Sequence, residues 1–411
     1  MQAATLYYNK QRSHKVFLWL SAFIVLLAAI VVTINNQKNS TPSVGVLQAK
    51  EFDKPIVITK GGTYTGNWES RDSEIPAVEV RTSEPVTIIN STIRGAGYLI
   101  KSWGHDANIT IKHTSGYGLT PTPWSGYIKS RRFLTIDHFR NVVVENCNLN
   151  NTAGIYIGEN YTGNGTPANS IKIRYNKAYN IDGRTYNGID IVQFVQFNYK
   201  GEVPAVEIAW NQVINEPDKS AVEDNINIFN SRGTPDSPMR IHNNYIQGAY
   251  PYPANSNSYS GGGILTDSPG TDSARVTAFV MIHDNQLVGL GNHCIGIAGG
   301  NNIEVCNNRA VVAASFQDST PFPFWTSGIW ARDYYKGKLT YGNSIHHNQL
   351  AVLGRDRTWR NDVGDSTQFV ASVYDNEHLP DKVTINLEAR EFTLWQQKLK
   401  LAGIKLGPQN Q

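Results

Sequence analysis

Residues 239–248 read MRIHNNYIQG, and residues 280–289 read VMIHDNQLVG. In each, a short strand with apolar residues at alternate positions runs into an asparagine and then a second short strand. The same phrase stands at Ile171 (IKIRYNKAYN), Val206 (VEIAWNQVIN), Ile303 (IEVCNNRAVV) and Ser344 (SIHHNQLAVL), with an earlier form, VVVENCNLNN, at Val142. Strand side chains alternate between faces, so the recurring Ile and Val residues share one face. The aligned asparagines are Asn148, Asn176, Asn211, Asn244, Asn285, Asn308 and Asn348. An inward asparagine at a bend can bond the backbone of a neighbouring coil, so these residues are read as fold-forming rather than catalytic.

A second phrase follows every copy but the last: AGIYI at Ala153, NGIDI at Asn187, DNINI at Asp224, GGILT at Gly262, IGIAG at Ile295 and SGIWA at Ser327. The two alternate in strict order. Intervals between successive asparagines vary from 23 to 41 residues, with the excess in stretches rich in Gly, Pro and Ser. Constant strands separated by variable loops are the pattern of a solenoid, in which stacked coils share the core that no single coil can bury.

The stretch from about Val86 to Tyr374 resembles the right-handed parallel β-helix proteins of the pectate-lyase-like superfamily. The IHNNYIQG and IHDNQLVG turns and the GIDI and GIAGG strands carry that resemblance. It implies an all-β, right-handed parallel β-helix solenoid that acts on polysaccharides in a groove along one sheet. It does not choose among lyases, epimerases, hydrolases and binding proteins. Uronate epimerases of this fold carry a DPHD-type motif after Gly-Ile; here Gly188-Ile189-Asp190 matches its beginning, and Ile191, Val192 and Gln193 replace the rest.

The expected organisation is a cytoplasmic N-terminus (1–15), a transmembrane anchor (16–34), a linker (35–50), the β-helix (51–380) and a C-terminal helical cap (381–411). Val16–Ile34, VFLWLSAFIVLLAAIVVTI, is apolar apart from Ser21 and Thr33, and at about 1.5 Å per residue it matches a bilayer's hydrocarbon thickness. Cleavage as a signal peptide is the alternative; either way the body is exported. Lys10, Arg12 and Lys15 precede the span and place the N-terminus in the cytoplasm and the body in the periplasm or outside the cell. Those three cations account for the whole net charge of +3, so the body is neutral and generic nucleic-acid binding is not expected. Near the other end, NLEAREFTLWQQKLKLAG begins at Asn386, and Phe392, Trp395, Leu399 and Ala402 give it an apolar stripe. It reads as a capping helix on the last coil.

Cys147, Cys294 and Cys306 make an odd count without paired metal-ligand spacing, so no metal site is expected. They read as small core hydrophobes, with one disulfide and a spare thiol as the alternative. No cofactor is expected, and the oligomeric state stays open.

If the isoleucines of the second phrase point inward, the residues between them point out. That outward file reads Tyr156, Asp190, Asn227, Leu265, Ala298 and Trp330. Asp224 lies just before its strand, and Asp267, Arg332 and Asp333 lie toward the ends of theirs. Two aromatic insertions, GAYPYPANSNSYSGG and ASFQDSTPFPFWTS, enter at the same point of the coil, and their Tyr250, Tyr252, Tyr259, Phe322, Phe324 and Trp325 are of a type that stacks on sugar rings. Acid–base chemistry is assigned to Asp190, Asp224 and Arg332, and substrate contact to Tyr156, Asn227, Asp267, Trp330, Asp333, Tyr252 and Trp325. The rival readings are a non-catalytic glycan-binding or assembly scaffold and an adhesin.

Overall fold

The computed structural model describes residues 51–120, 124–258 and 261–409. The expected N-terminal segments (1–15, 16–34 and 35–50) lie outside the described residues, as does Tyr259. Among the described residues no helix is long and apolar enough to cross a membrane.

Each coil but the last supplies three strand segments. In the first coil these are Ile56–Ile58, Gly62–Tyr64 and Asn67–Ser70, and each founds a parallel ladder, here numbered 1, 2 and 3. Ladders 1 and 2 are joined through the long strand Leu134–Glu145 and form one 20-stranded sheet, while ladder 3 has 11 strands. The first phrase of the sequence supplies ladders 2 and 3, and the second phrase, apart from its NGIDI copy, supplies ladder 1. The result is a parallel β-helix solenoid.

Alternation explains the core. In Ala278–His283, Val280 and Ile282 are enclosed while Phe279, Met281 and His283 lie outward and are only partly covered. One continuous apolar column runs from Ile58 to Val352. Each fully buried Ile or Val in it contributes roughly 1.5–3 kcal/mol. All three cysteines are buried free thiols.

The bend between ladders 2 and 3 is built by the asparagines. Asn211 accepts the backbone N–H and the side-chain Nδ2–H of Asn176, at 3.1 and 2.9 Å, and donates to Ile173 O. The pattern repeats through Asn244, Asn285, Asn308 and Asn348 to Asn376. The residue before each is left-handed, Tyr175 at φ 61°, Trp210 at 55° and Asp284 at 57°. That conformation is unfavourable for aromatic residues, and the ladder's bonds offset it. One expectation is corrected here. The rung assigned to Asn148 is occupied by Cys147, whose N–H donates to Asn176 Oδ1 at 2.8 Å, and Asn148 instead opens the next strand opposite Lys177.

The C-terminal helix, α1 (Ile385–Leu401), is capped by the Thr384 side chain, which accepts Leu387 N–H. It runs along the flank of ladder 3, against Gln286–Leu290 and Arg309–Val312, rather than over the last coil as expected. Trp395 and Leu399 pack on Tyr245 and Val288, while Leu387 packs on Val311 and Ala351. Ala402, counted in the stripe, is exposed. The chain from Phe52 onward is one compact unit, so the helix is part of the solenoid body.

Candidate active site

Register in ladder 1 decides which residues share the outward file. Tyr156, Gln196, Asn227, Leu265, Gly296 and Trp330 stand opposite one another on successive strands. Two expected members are displaced. The ladder 1 strand that follows Ile155–Tyr161 is Val195–Lys200, not GIDI, because Gly188–Ile189 pairs antiparallel with Arg184–Thr185 in a separate hairpin. Asp190 therefore leaves the file, and Gln196 takes its place. Ala298 lies one step beyond Ile297, in the file that also holds Asp267, and Gly296 stands in its stead. A Cβ on Gly296 would meet Leu265 and Trp330 at 2.7 and 2.8 Å, so glycine there lets those side chains close over the strand.

Three of the expected residues meet at one point. Asn227 Nδ2 donates to Asp267 Oδ2 at 2.8 Å and to Asp224 Oδ2 at 3.4 Å. Asp224, Asn227 and Asp267 are 1%, 3% and 8% exposed. Asp224 Oδ1 also accepts Gly262 N–H at 3.1 Å, and the Tyr335 hydroxyl donates to Asp267 Oδ1 at 2.7 Å. Behind them sits His293, fully buried, with its ring edge-on to Trp330. Its Nε2 lies 3.4 Å from Asp224 Oδ1, close enough for an ion pair but without hydrogen-bond geometry. Burial favours the uncharged form of both. It holds His293 down at about 3 and raises Asp224 well above the usual carboxylate range, with the nearby Glu223 and Asp267 pushing Asp224 the same way.

Glu223, beside Asp224 in the chain, turns toward solvent. With Asp190 it lines a cleft of about 320 Å³, whose other walls include Ile189, Ile191, Ala221, Tyr250 and Tyr252. Burial raises the Glu223 pKa, and Asp267 adds to that, although Gln193 Nε2 donates to its Oε2 at 2.7 Å. Asp267 is raised by burial as well. Tyr252 is 44% exposed at the rim, with the Arg184 guanidinium 4.5 Å from its ring centre. Three larger hollows, of about 500, 550 and 740 Å³, contain no pair of acids.

No family model matches this chain. No curated protein and no solved structure matches it either. The chemistry of the cleft has to be read from its own geometry.

The remaining expected residues are scattered. Tyr156 lies in the outward file of ladder 1 under the buried Arg132 guanidinium, and Asn198 Nδ2 donates to its hydroxyl at 3.4 Å. Arg332 is exposed just past its strand. Asp333 is occupied within its own loop, accepting Lys338 N–H and the Thr340 hydroxyl. Trp325 is exposed and leans on Trp359. Tyr250, Phe322 and Phe324 pack on one another with Phe316; Phe322 and Phe324 are enclosed, and only Tyr250 reaches the wall of the cleft.

Glu223, His293, Tyr335, Gln193 and Gln196 were missed by the sequence reading. His293 had a signal. It lies two residues before Ile295, as Asp224 lies two before Ile226, so the repeat places both at the same point of their coils.

Proposed function

We propose that this chain is an exported, membrane-anchored protein of the right-handed, pectate-lyase-like kind, and that it binds a surface or secreted polysaccharide and cleaves it by acid–base chemistry. The observation that carries this reading is the pairing of Asp190 and Glu223 in one cleft beside an exposed tyrosine. Glu223 sits where a carboxyl keeps its proton to higher pH, as a general acid requires. Asp190 is exposed and supplies the base or nucleophile. Tyr252 offers a face to a sugar ring. Asp224, Asn227 and Asp267 form the bonded layer behind Glu223 rather than the reacting pair. The ionisable groups lining the cleft with Tyr252 are carboxyls, and the Arg184 guanidinium at the rim is already paired with Asp182. This suits protonation of a glycosidic oxygen better than neutralisation of a uronate, so hydrolysis is favoured over lyase or epimerase chemistry.

The burial of Asp224, Asn227 and Asp267 favours a second reading, a non-catalytic glycan-binding or assembly scaffold. One experiment separates the two. The full-length protein in detergent is incubated with neutral and anionic polysaccharides, and new reducing or unsaturated ends are measured. Cleavage that is lost in both Glu223→Gln and Asp190→Asn supports the enzyme. Cleavage unchanged in these variants overturns the assigned pair, and retention of glycan without any product supports the scaffold.

A further inference from the structure

On the face of ladder 2, away from the cleft, a column of side chains brings together a different chemistry. In Asn301–Cys306 the alternation turns Ile303 and Val305 inward and Glu304 and Cys306 outward. The next strand, Asn343–His346, sets His346 directly opposite Cys306. One donor atom from each of Glu304, Cys306 and His346 lies within 4.8 Å of the other two. We infer that these three residues form a binding site for a thiophilic divalent transition-metal ion of the zinc class.

The donor set decides the class of ion. One sulfur, one imidazole nitrogen and one carboxylate oxygen match zinc-type coordination, whereas calcium and magnesium take oxygen donors. The His346 ring is already held on both of its nitrogens. Its Nδ1 faces His347 Nδ1 at 2.8 Å, and its Nε2 faces Glu304 Oε1 at 3.1 Å. When His346 Nδ1–H donates to His347, the bare Nε2 confronts a carboxylate oxygen, an arrangement that a cation between them relieves. The Tyr374 ring stacks on His346 at 4.8 Å and restrains its swing.

A second observation comes from the other side of the thiol. His283 stands opposite Cys306 on the preceding strand. Its Nδ1 is bound to Asp284 Oδ2 at 2.7 Å, and its Nε2 is buried without a hydrogen-bond partner. A histidine whose Nδ1–H is held by a carboxylate presents a bare, more basic Nε2, the usual state of a metal-ligating imidazole. It stands one strand from Cys306, outside the group of three whose donor atoms lie within 4.8 Å of one another. Cys147 and Cys294 are enclosed in the apolar column, whereas Cys306 lies in the outward file.

Without a cation the Cys306 thiol keeps its proton, because burial and the Glu304 carboxylate push it up to about 12. Ion binding forms the sulfur–metal bond and releases that proton to solvent. The sequence hides the site, since Cys306 and His346 are far apart in the chain and meet only through the register of two coils.

The test uses the full-length protein, stripped with a chelator and titrated with Co²⁺. The expected result is a single equivalent bound with thiolate-to-cobalt charge-transfer absorption, which Zn²⁺ displaces and Cys306→Ala abolishes. Glu304→Gln and His346→Gln keep the thiol and should weaken Co²⁺ binding by about tenfold or more, with metal-free melting temperatures equal to the parent's. Absence of the charge-transfer band in the parent, its survival in Cys306→Ala, or unchanged affinity in both of the other variants overturns the proposal.

Discussion

His293 reaches Asp224 across a position that carries no side chain. The ring's Nε2 stands 3.4 Å from Asp224 Oδ1, and a Cβ built on Gly262, on the coil between them, would sit 2.5 Å from that nitrogen. Gly262→Ala must therefore displace the ring from an enclosed site, at an expected cost of about 1–3 kcal/mol in chemical denaturation. The cost should largely vanish when His293 is already alanine, giving a coupling of about 1 kcal/mol or more in a double-mutant cycle. Additive single changes would show that the ring and the glycine do not share the space.

Glu223 should set the alkaline limb of catalysis. As a general acid it works while protonated, so the rate falls as pH rises through its raised pKa. Gln193 Nε2 donates to the carboxylate and stabilises its charged form. Gln193→Ala removes that donor, so the limb in kcat/KM should move to higher pH. Movement to lower pH, or none, would detach Glu223 from the proton-transfer step.

The repeated Ile-x-Ile and Asn motifs made the solenoid readable, because alternation and stacking are written locally in each coil. Register was readable only in part. NGIDI and Val195–Lys200 both alternate apolar and polar residues, and nothing local says which one pairs with Ile155–Tyr161. Gly296 lies within the strand Ile295–Ile297 and Ala298 just past its end, both outward by alternation, so naming the file means knowing where the strand begins and ends. Asn148 was one residue out, and in a strand one residue reverses the face. Asp224, Asn227 and Asp267 were found because they lie on or beside the repeated strand. Tyr335 was not, since it reaches Asp267 from a loop 68 residues further along the chain.

The asparagine ladder should be most costly to break in its middle. Asn285 is fully buried and accepts both the backbone N–H and the Nδ2–H of Asn244, while its own Nδ2 donates to Ile241 O and Asn308 Oδ1. Asn285→Ala leaves the Asn244 N–H without its acceptor in an apolar setting, an expected loss of about 3 kcal/mol by urea denaturation. Asn376→Ala, at the partly exposed end of the ladder, should cost about 1 kcal/mol, because water replaces the lost partner. Equal losses at the two positions would deny the ladder its role in the buried bend.

A last prediction concerns α1 and carries a definite sign. Glu388 lies in the first turn of the helix, 4% exposed, and accepts the Ala313 N–H at 2.6 Å. Burial raises its carboxyl from the ordinary 4.5 to about 7. Between those values the folded chain holds a proton that the unfolded chain has released, so stability falls as pH rises. The contribution is complete below 4.5 and is lost by about pH 7, a swing of about 3 kcal/mol. Glu388→Gln keeps an oxygen for Ala313 but has no proton to lose. It should remove the Glu388 contribution to this part of the stability–pH curve, leaving the slopes of the same sign from the raised Asp224, Glu223 and Asp267 carboxyls and the opposite slope from the buried neutral His293, and should exceed the parent's stability above neutrality. Urea denaturation across this range would measure it, and an unchanged slope in Glu388→Gln would place the titrating group elsewhere.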